Sequence, residues 1–387
     1  MSQTDADASA VSIDRTVQPL IPRAILERTG GKILCITQFA IGDFVYFQNC
    51  FAALSRLYPN LRLHLWNDAD NRAGEPAKWP APQKHALHDW LDACPYFEKI
   101  HNKTTGTMTH EKFVSAMQAE HFDAVIFLLL VRPRAHVYAT FAREIAPRGF
   151  VAGVKSPFVP AKLHLWANRK LDAALPPYKR PEKIPPNISN FFAHWFKLLF
   201  AIEIPPPARH SFIDIPEKWK TGAAAFLRDW GVNTSTDSLV FINTTASSEE
   251  RCWPMANALE LIRAMRQNAR WENAWFLINS MPSNSAATQN AIDASGLARV
   301  RAFSAGDNFF QLPAMLADCD LIITVITSVA HLANAVHVPG ITLTRHGHSE
   351  WKPLDADVIM PAEHNQWVDK IPVSEVMKAV NLHTSRT

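Results

Sequence analysis

Three segments gather the side chains of this sequence that are able to do chemistry. In the first, Gly30-Gly-Lys-Ile-Leu-Cys-Ile-Thr-Gln-Phe-Ala-Ile-Gly42-Asp43, one carboxylate follows a short apolar run and precedes helically spaced Phe47, Cys50, Phe51 and Leu54. With Gly42 expected to turn the backbone, Asp43 either caps the helix start or stands where open α/β folds bind ligands. The second, Asn243-Thr-Thr-Ala-Ser-Ser-Glu-Glu-Arg251-Cys-Trp253-Pro254, sets the hydroxyls of Thr244, Thr245, Ser247 and Ser248 beside the cation of Arg251. Short donors next to a fixed positive charge suit a diphosphate, and the same residues also suit a polar surface loop with a helix cap. The third runs from Thr324 through Thr327, Ser328 and His331 to Gly340. Thr327 or Ser328 can cap a helix whose free amides face a phosphate, while His331 reads equally as a hydrogen-bonded core histidine.

These segments need strands and helices to hold them, and the sequence supplies both in alternation. Apolar runs at Ile33–Ile36, Leu61–Trp66 and Phe122–Leu130 predict strands, Phe97–His101 reads as a short extended piece, and Glu111–Ala119 and Ala135–Ile145 predict helices. Trp79 to Leu91 reads as mixed and partly helical. Ten prolines between Pro157 and Pro207 mark irregular connections around an amphipathic stretch, Ile188–Phe200. The alternation then resumes, with strands expected at Ser238–Ile242, Ala274–Ile278, Val300–Phe303, Asp320–Thr324 and Gly340–Leu343. Helices are expected at Trp219–Trp230, from Met255, and at Ala286–Ala294, Leu312–Asp318 and Ser328–Val336. The pattern predicts two doubly wound α/β domains in tandem, with ligands at the strand ends in a cleft between them.

Composition removes several classes of function. The 387 residues exceed the usual single core, so two domains are expected. Thirty-nine basic against 36 acidic residues leave a net charge of +3 and no basic block, so no nucleic-acid partner is expected. No apolar run is long enough to span a bilayer, and Met1–Arg15 has no signal-peptide pattern. Five cysteines without a Cys-x-x-Cys pair suit buried thiols in a reducing cytoplasm. His346-Gly-His348 is the closest histidine pair, and no cluster has structural-zinc spacing, so no protein-ligated metal is expected.

In order and spacing the segments resemble the ADP-heptose:lipopolysaccharide heptosyltransferases, glycosyltransferase family 9. The likeness rests on Ile41-Gly42-Asp43 after the opening strand and on Phe122–Leu130 followed by Arg132 and Arg134. It continues through the Asn187–Ile204 stretch, the loop Asn243–Pro254 with Arg251, Trp253 and Pro254, the run Met315–Pro339 with His331-Leu-Ala, and Trp351-Lys-Pro353. It spans roughly residues 31 to 370.

The resemblance implies a GT-B architecture of two Rossmann-like domains facing an interdomain cleft. Residues 1–30 would form a disordered or extended tail, 31–207 an acceptor-binding domain and 208–387 a nucleotide-sugar-binding domain whose last helix packs back on the first. It implies an inverting transfer, with Asp43 as general base toward the acceptor hydroxyl. Thr244, Thr245, Arg251, Thr327 and Ser328 would hold the donor phosphates, with Ser280 and His331 as further donor-site residues, and Arg132 and Arg134 would meet an anionic glycolipid acceptor. No metal or cofactor is implied. The donor would be ADP-heptose and the acceptor lipopolysaccharide core or another envelope glycan, placing the protein in the cytoplasm and peripherally at the inner membrane. Three segments depart from the family pattern: Ile326 stands in place of an acidic residue, Asn279-Ser280-Met281-Pro282 replaces a Gly-rich turn, and Arg345-His346-Gly347-His348 replaces Phe-Gly-Pro-Thr. They leave open a different nucleotide sugar, or a catalytically degenerate protein that binds a nucleotide or glycan.

Overall fold

The apolar runs assemble into two six-stranded sheets, every neighbouring pair of strands parallel. They are seen in a computed structural model that describes residues 10–68, 86–101, 110–130, 135–155, 166, 168–177, 187–347 and 349–386. By its contacts the chain divides into two compact units, Met1–Arg209 and His210–Thr387.

In the first unit, β1 (Ser12–Ile13) stands apart from the main sheet, which is built from β2 (Lys32–Thr37), β3 (Arg62–Asn67), β4 (Lys99–Ile100), β5 (Ala124–Leu128), β6 (Phe150–Val154) and β7 (Ala173–Leu175). The spatial order is β4-β3-β2-β5-β6-β7. After β8 (Ile202–Glu203), the second unit repeats the plan with β9 (Leu239–Asn243), β10 (Trp275–Asn279), β11 (Val300–Phe303), β12 (Leu321–Val325), β13 (Gly340–Leu343) and β14 (Asp357–Ile359), ordered β11-β10-β9-β12-β13-β14. Counted within each sheet, both orders are the 3-2-1-4-5-6 of a Rossmann fold, reversing direction between the first and fourth strands. Those reversals fall between β2 and β5 and between β9 and β12.

Strands buried on both faces read as continuous apolar runs, which is why β2, β5, β9 and β12 are the clearest in the sequence. The helix Ile41–Leu57 buries Phe47 and Phe51 against the helix Ile188–Phe200, with Phe47 stacked on Phe192 at 3.7 Å and Phe51 edge-on to Phe196 at 5.3 Å. Strands β6 and β7 escape the sequence reading because Gly153 interrupts the apolar run of β6 and β7 has three residues set among prolines. Gly153 of β6 has a packing role: a Cβ there would lie 2.2 Å from the Phe127 ring of β5.

Two expectations are corrected. Residues 10–30 are folded rather than a disordered tail: β1 pairs antiparallel with β8, the amides of Leu20 and Ile21 donate to Leu198 and Leu199 carbonyls, and Ile21 and Leu26 are buried. Gly42 does not make the turn after β2. It already lies in the helix Ile41–Leu57, and the described glycines with positive φ are Gly30, Gly231, Gly296 and Gly347. The last helix, Val373–Arg386, buries Val376, Ala379 and Val380 in the core of the second unit. The mixed region Trp79–Leu91 is described from residue 86 onward, where the helix Ala86–Ala93 begins.

Candidate functional site

In the first unit, β2 ends at Thr37 and three residues lead into the helix Ile41–Leu57. Asp43 is the third residue of that helix, and its Oδ2 accepts from the Ala40 amide at 2.7 Å. This is the capping geometry the sequence allows: it satisfies one backbone donor and sets the carboxylate near the positive end of the helix dipole. Asp43 is buried, at 6% exposure.

The approach to Asp43 is fixed by a residue the sequence reading passed over. Asn67, at the end of β3, accepts from the Phe39 amide at 2.6 Å and donates to the Phe39 carbonyl at 3.2 Å. Its Oδ1 also receives the Thr37 hydroxyl at 3.0 Å. Beside it, Gln38 Nε2 donates to the Tyr138 hydroxyl at 2.7 Å, which donates to Asp68 Oδ2 at 2.5 Å. Buried polar groups that find such partners rigidify the backbone carrying them. Arg132 and Arg134 lie outside the described residues.

In the second unit the hub is Asn243, the last residue of β9. Its Nδ2 lies 3.0 Å from Thr324 Oγ1, 3.2 Å from Thr327 Oγ1 and 3.3 Å from the Thr245 carbonyl, and its Oδ1 accepts from Asn279 Nδ2 at 2.9 Å. One carboxamide thus links the ends of β9, β10 and β12 across the sheet reversal, where ligands of open α/β sheets bind. Thr327 caps the helix Ser328–Ala335, its hydroxyl accepting from the Val329 amide at 3.3 Å. Thr244 is buried and Thr245 exposed, and among the described residues no side-chain partner holds either hydroxyl.

Arg251 closes the loop on itself. Its Nε donates to Ser248 Oγ at 2.9 Å and a terminal nitrogen to Ser247 Oγ. Two of the four hydroxyls read as phosphate donors therefore aim the guanidinium instead. The loop is anchored by Trp253, whose indole N–H donates to the Ile371 carbonyl at 2.9 Å and whose amide donates to the Thr244 carbonyl at 2.8 Å. Next to Arg251, Glu250 pairs with Arg345 at 2.8 Å.

Ser280 is buried and turns its amide and hydroxyl to the Phe303 carbonyl, at 2.9 and 3.4 Å. His331 is fully surrounded, and burial pushes its imidazole down to about 4, so it is neutral at pH 7. Its ring lies edge-on to Trp351 at 6.5 Å. Ile326 is also buried and donates its amide to the Leu343 carbonyl at 2.9 Å.

The second unit therefore joins Thr327 and the Thr245 carbonyl to Asn243, Asn279 and Thr324 in one hydrogen-bonded group, while Arg251 is held by Ser247 and Ser248 farther along the same loop. The signal available in the sequence was a polar residue closing each of two neighbouring apolar strands, at positions 243 and 279.

Tandem Rossmann-like units define the GT-B class of glycosyltransferases. Residues 164–374 match the model of glycosyltransferase family 9 (heptosyltransferase), and the chain belongs to that family. It is a heptosyltransferase-like glycosyltransferase. The fold is similar to glycosyl transferase family 9 from Veillonella parvula DSM 2008, at TM-score 0.70 and 14% identity over 92% of this chain and 98% of that one. It is also similar to E. coli ADP-heptose lps heptosyltransferase II, at TM-score 0.64 and 15% identity over 92% and 99% of the two chains. A third likeness is E. coli heptosyltransferase WaaC with ADP, at TM-score 0.62 and 13% identity over 92% and 98%. No curated protein sequence matches the chain.

Proposed function

We propose that the protein is an inverting, metal-independent transferase moving heptose or a related sugar from a nucleotide diphosphate to an anionic envelope glycolipid. The observation that carries this reading is the Asn243 hub, which bonds Thr324, Thr327 and the Thr245 carbonyl at the sheet reversal, at the head of the loop in which Ser247 and Ser248 hold Arg251. Hydroxyls, the amides of the helix Ser328–Ala335 and one cation together balance the charge that develops on a diphosphate as it leaves. ADP-heptose is the donor to try first, since the solved relatives include one with ADP and one with ADP-2-deoxy-2-fluoro heptose.

Asp43 is assigned the base role in a single displacement. Its carboxylate takes the proton of the acceptor hydroxyl as that oxygen bonds to the anomeric carbon and the diphosphate departs with the bonding pair. The amide of Ala40 holds one carboxylate oxygen at the start of the helix. In this reading Arg132 and Arg134 meet the acceptor's negative groups. The acceptor brings the protein to a membrane surface, and no described helix is long and apolar enough to cross one.

A second reading, a nucleotide- or glycan-binding protein without turnover, is favoured by Ile326, a buried side chain that cannot accept a bond from a sugar hydroxyl. Calorimetry with ADP, UDP, GDP and their sugars, followed by transfer assays on a lipopolysaccharide core acceptor, separates the two. Binding with turnover supports the transferase, binding without turnover supports the second reading, and no binding at millimolar concentration overturns both.

A further inference from the structure

We infer that His64, His101 and Glu120 form a binding site for a zinc-type divalent cation. Nothing in their sequence spacing announces it: one lies in β3, one follows β4 and one precedes β5. The parallel pairing of β3 with β4 and the turn before β5 bring one ligand atom from each to within 4.8 Å of the others. The cluster lies on the part of the sheet where Lys32 opens β2, whereas Asp43 follows the other end of that strand.

The two rings present nitrogens to each other, His64 Nδ1 and His101 Nε2 being 2.9 Å apart. Two nitrogens on a tetrahedral zinc lie about 3.3 Å apart, so a cation enters between them with a small opening of the pair. The remaining nitrogen of His64 points the same way. His64 is only 1% exposed and its Nε2 is buried without a hydrogen-bond partner, while Glu98 Oε1 stands 3.7 Å from it. If Nδ1 takes the cation, Nε2 carries the proton and faces that carboxylate, the outer arrangement typical of metal-bound histidines.

Glu120 supplies the third, anionic ligand, and two ammonium groups already hold it. Lys32 is the fixed one, reaching both the Glu120 carbonyl at 2.9 Å and Oε2 at 3.0 Å. Lys99 is half-exposed and binds Oε1. A cation therefore competes chiefly with Lys99, whose side chain can swing into water while Glu120 rotates toward the rings. Two histidines and one carboxylate suit zinc better than calcium or magnesium, which prefer all-oxygen shells.

The test is a zinc titration of the chelator-treated full-length chain against a chromophoric competitor, with the melting temperature followed in parallel. One equivalent binds and raises the melting temperature. His101→Gln and Glu120→Gln each weaken binding roughly tenfold or more, and Lys99→Gln strengthens it several-fold. His346 and His364, whose rings lie 4.0 Å apart, are the internal control. Zinc bound equally well by Glu120→Gln but lost on His364→Ala overturns the assignment, as does a wild-type chain that takes up no zinc.

Discussion

The two sheets share one topology and end their first strands in opposite chemistry. Where β2 gives way to its helix, polar groups converge on the backbone: Asn67 grips Phe39 from both sides and Asp43 takes the Ala40 amide. Where β9 ends, they converge on side chains, with Asn243 holding Thr324 and Thr327 while Ser247 and Ser248 aim Arg251. The first arrangement fixes one carboxylate, the second a set of hydroxyl and cationic donors. In the proposed reading a single fold thus offers a proton acceptor on one copy and an anion cradle on the other, and the difference lies in the few residues beyond each strand.

That contrast can be broken most sharply at Asp43. Asp43→Asn is expected to retain nucleotide-sugar binding by calorimetry and to lower turnover about a hundredfold or more. Unchanged turnover would reduce the carboxylate to a helix cap and erase the asymmetry. Next in size, Arg251→Ala should weaken a nucleoside diphosphate roughly tenfold to a hundredfold while barely changing a nucleoside, as for loss of a charged hydrogen bond. Equal losses on both ligands would take Arg251 out of the cradle.

Asn243→Ala tests whether the cradle has a hub. It should cost about 1–3 kcal/mol of stability in urea unfolding, because Asn279 and two threonines lose a buried partner, and should weaken the diphosphate as well. The smallest effect concerns His331, in the helix that Thr327 caps. Its folded pKa of about 4 lies below the unfolded value, so between these pH values the unfolded chain binds the extra proton. Its contribution is complete above the unfolded pKa and is lost as pH falls, about 1 kcal/mol by about pH 5.5. His331→Gln should flatten that part of the pH–stability curve, and an unaltered curve would show that the ring does not titrate there.

Much of this was legible in the sequence because parallel strands covered on both faces are written as unbroken apolar runs. Val240 to Ile242 and Leu321 to Ile323 carry no polar residue to confuse them. Thr244, Thr245 and Arg251 were visible as a cluster of donors. Asn243 and Asn279 were not, since an asparagine closing a strand looks like any turn former until the neighbouring strand is known. Ser247 and Ser248 misled for the opposite reason: they are the right chemistry, but they face Arg251. Residues 10–30 read as a tail because their order comes from β8 and from the helix Ile188–Phe200, far along the chain.

That last pairing bears on how the protein is made. Ser12 and Ile13 find their partners in Glu203 and Ile202, about 190 positions later. At ribosomal rates of roughly 5–20 residues per second, the start of the chain waits about 10–40 s for the segment that will hold it. During that interval the apolar faces of Ile21 and Leu26 have no finished surface to cover. The first unit therefore closes late, by a seam joining its earliest and latest residues, and its window for engaging a chaperone is set by translation speed.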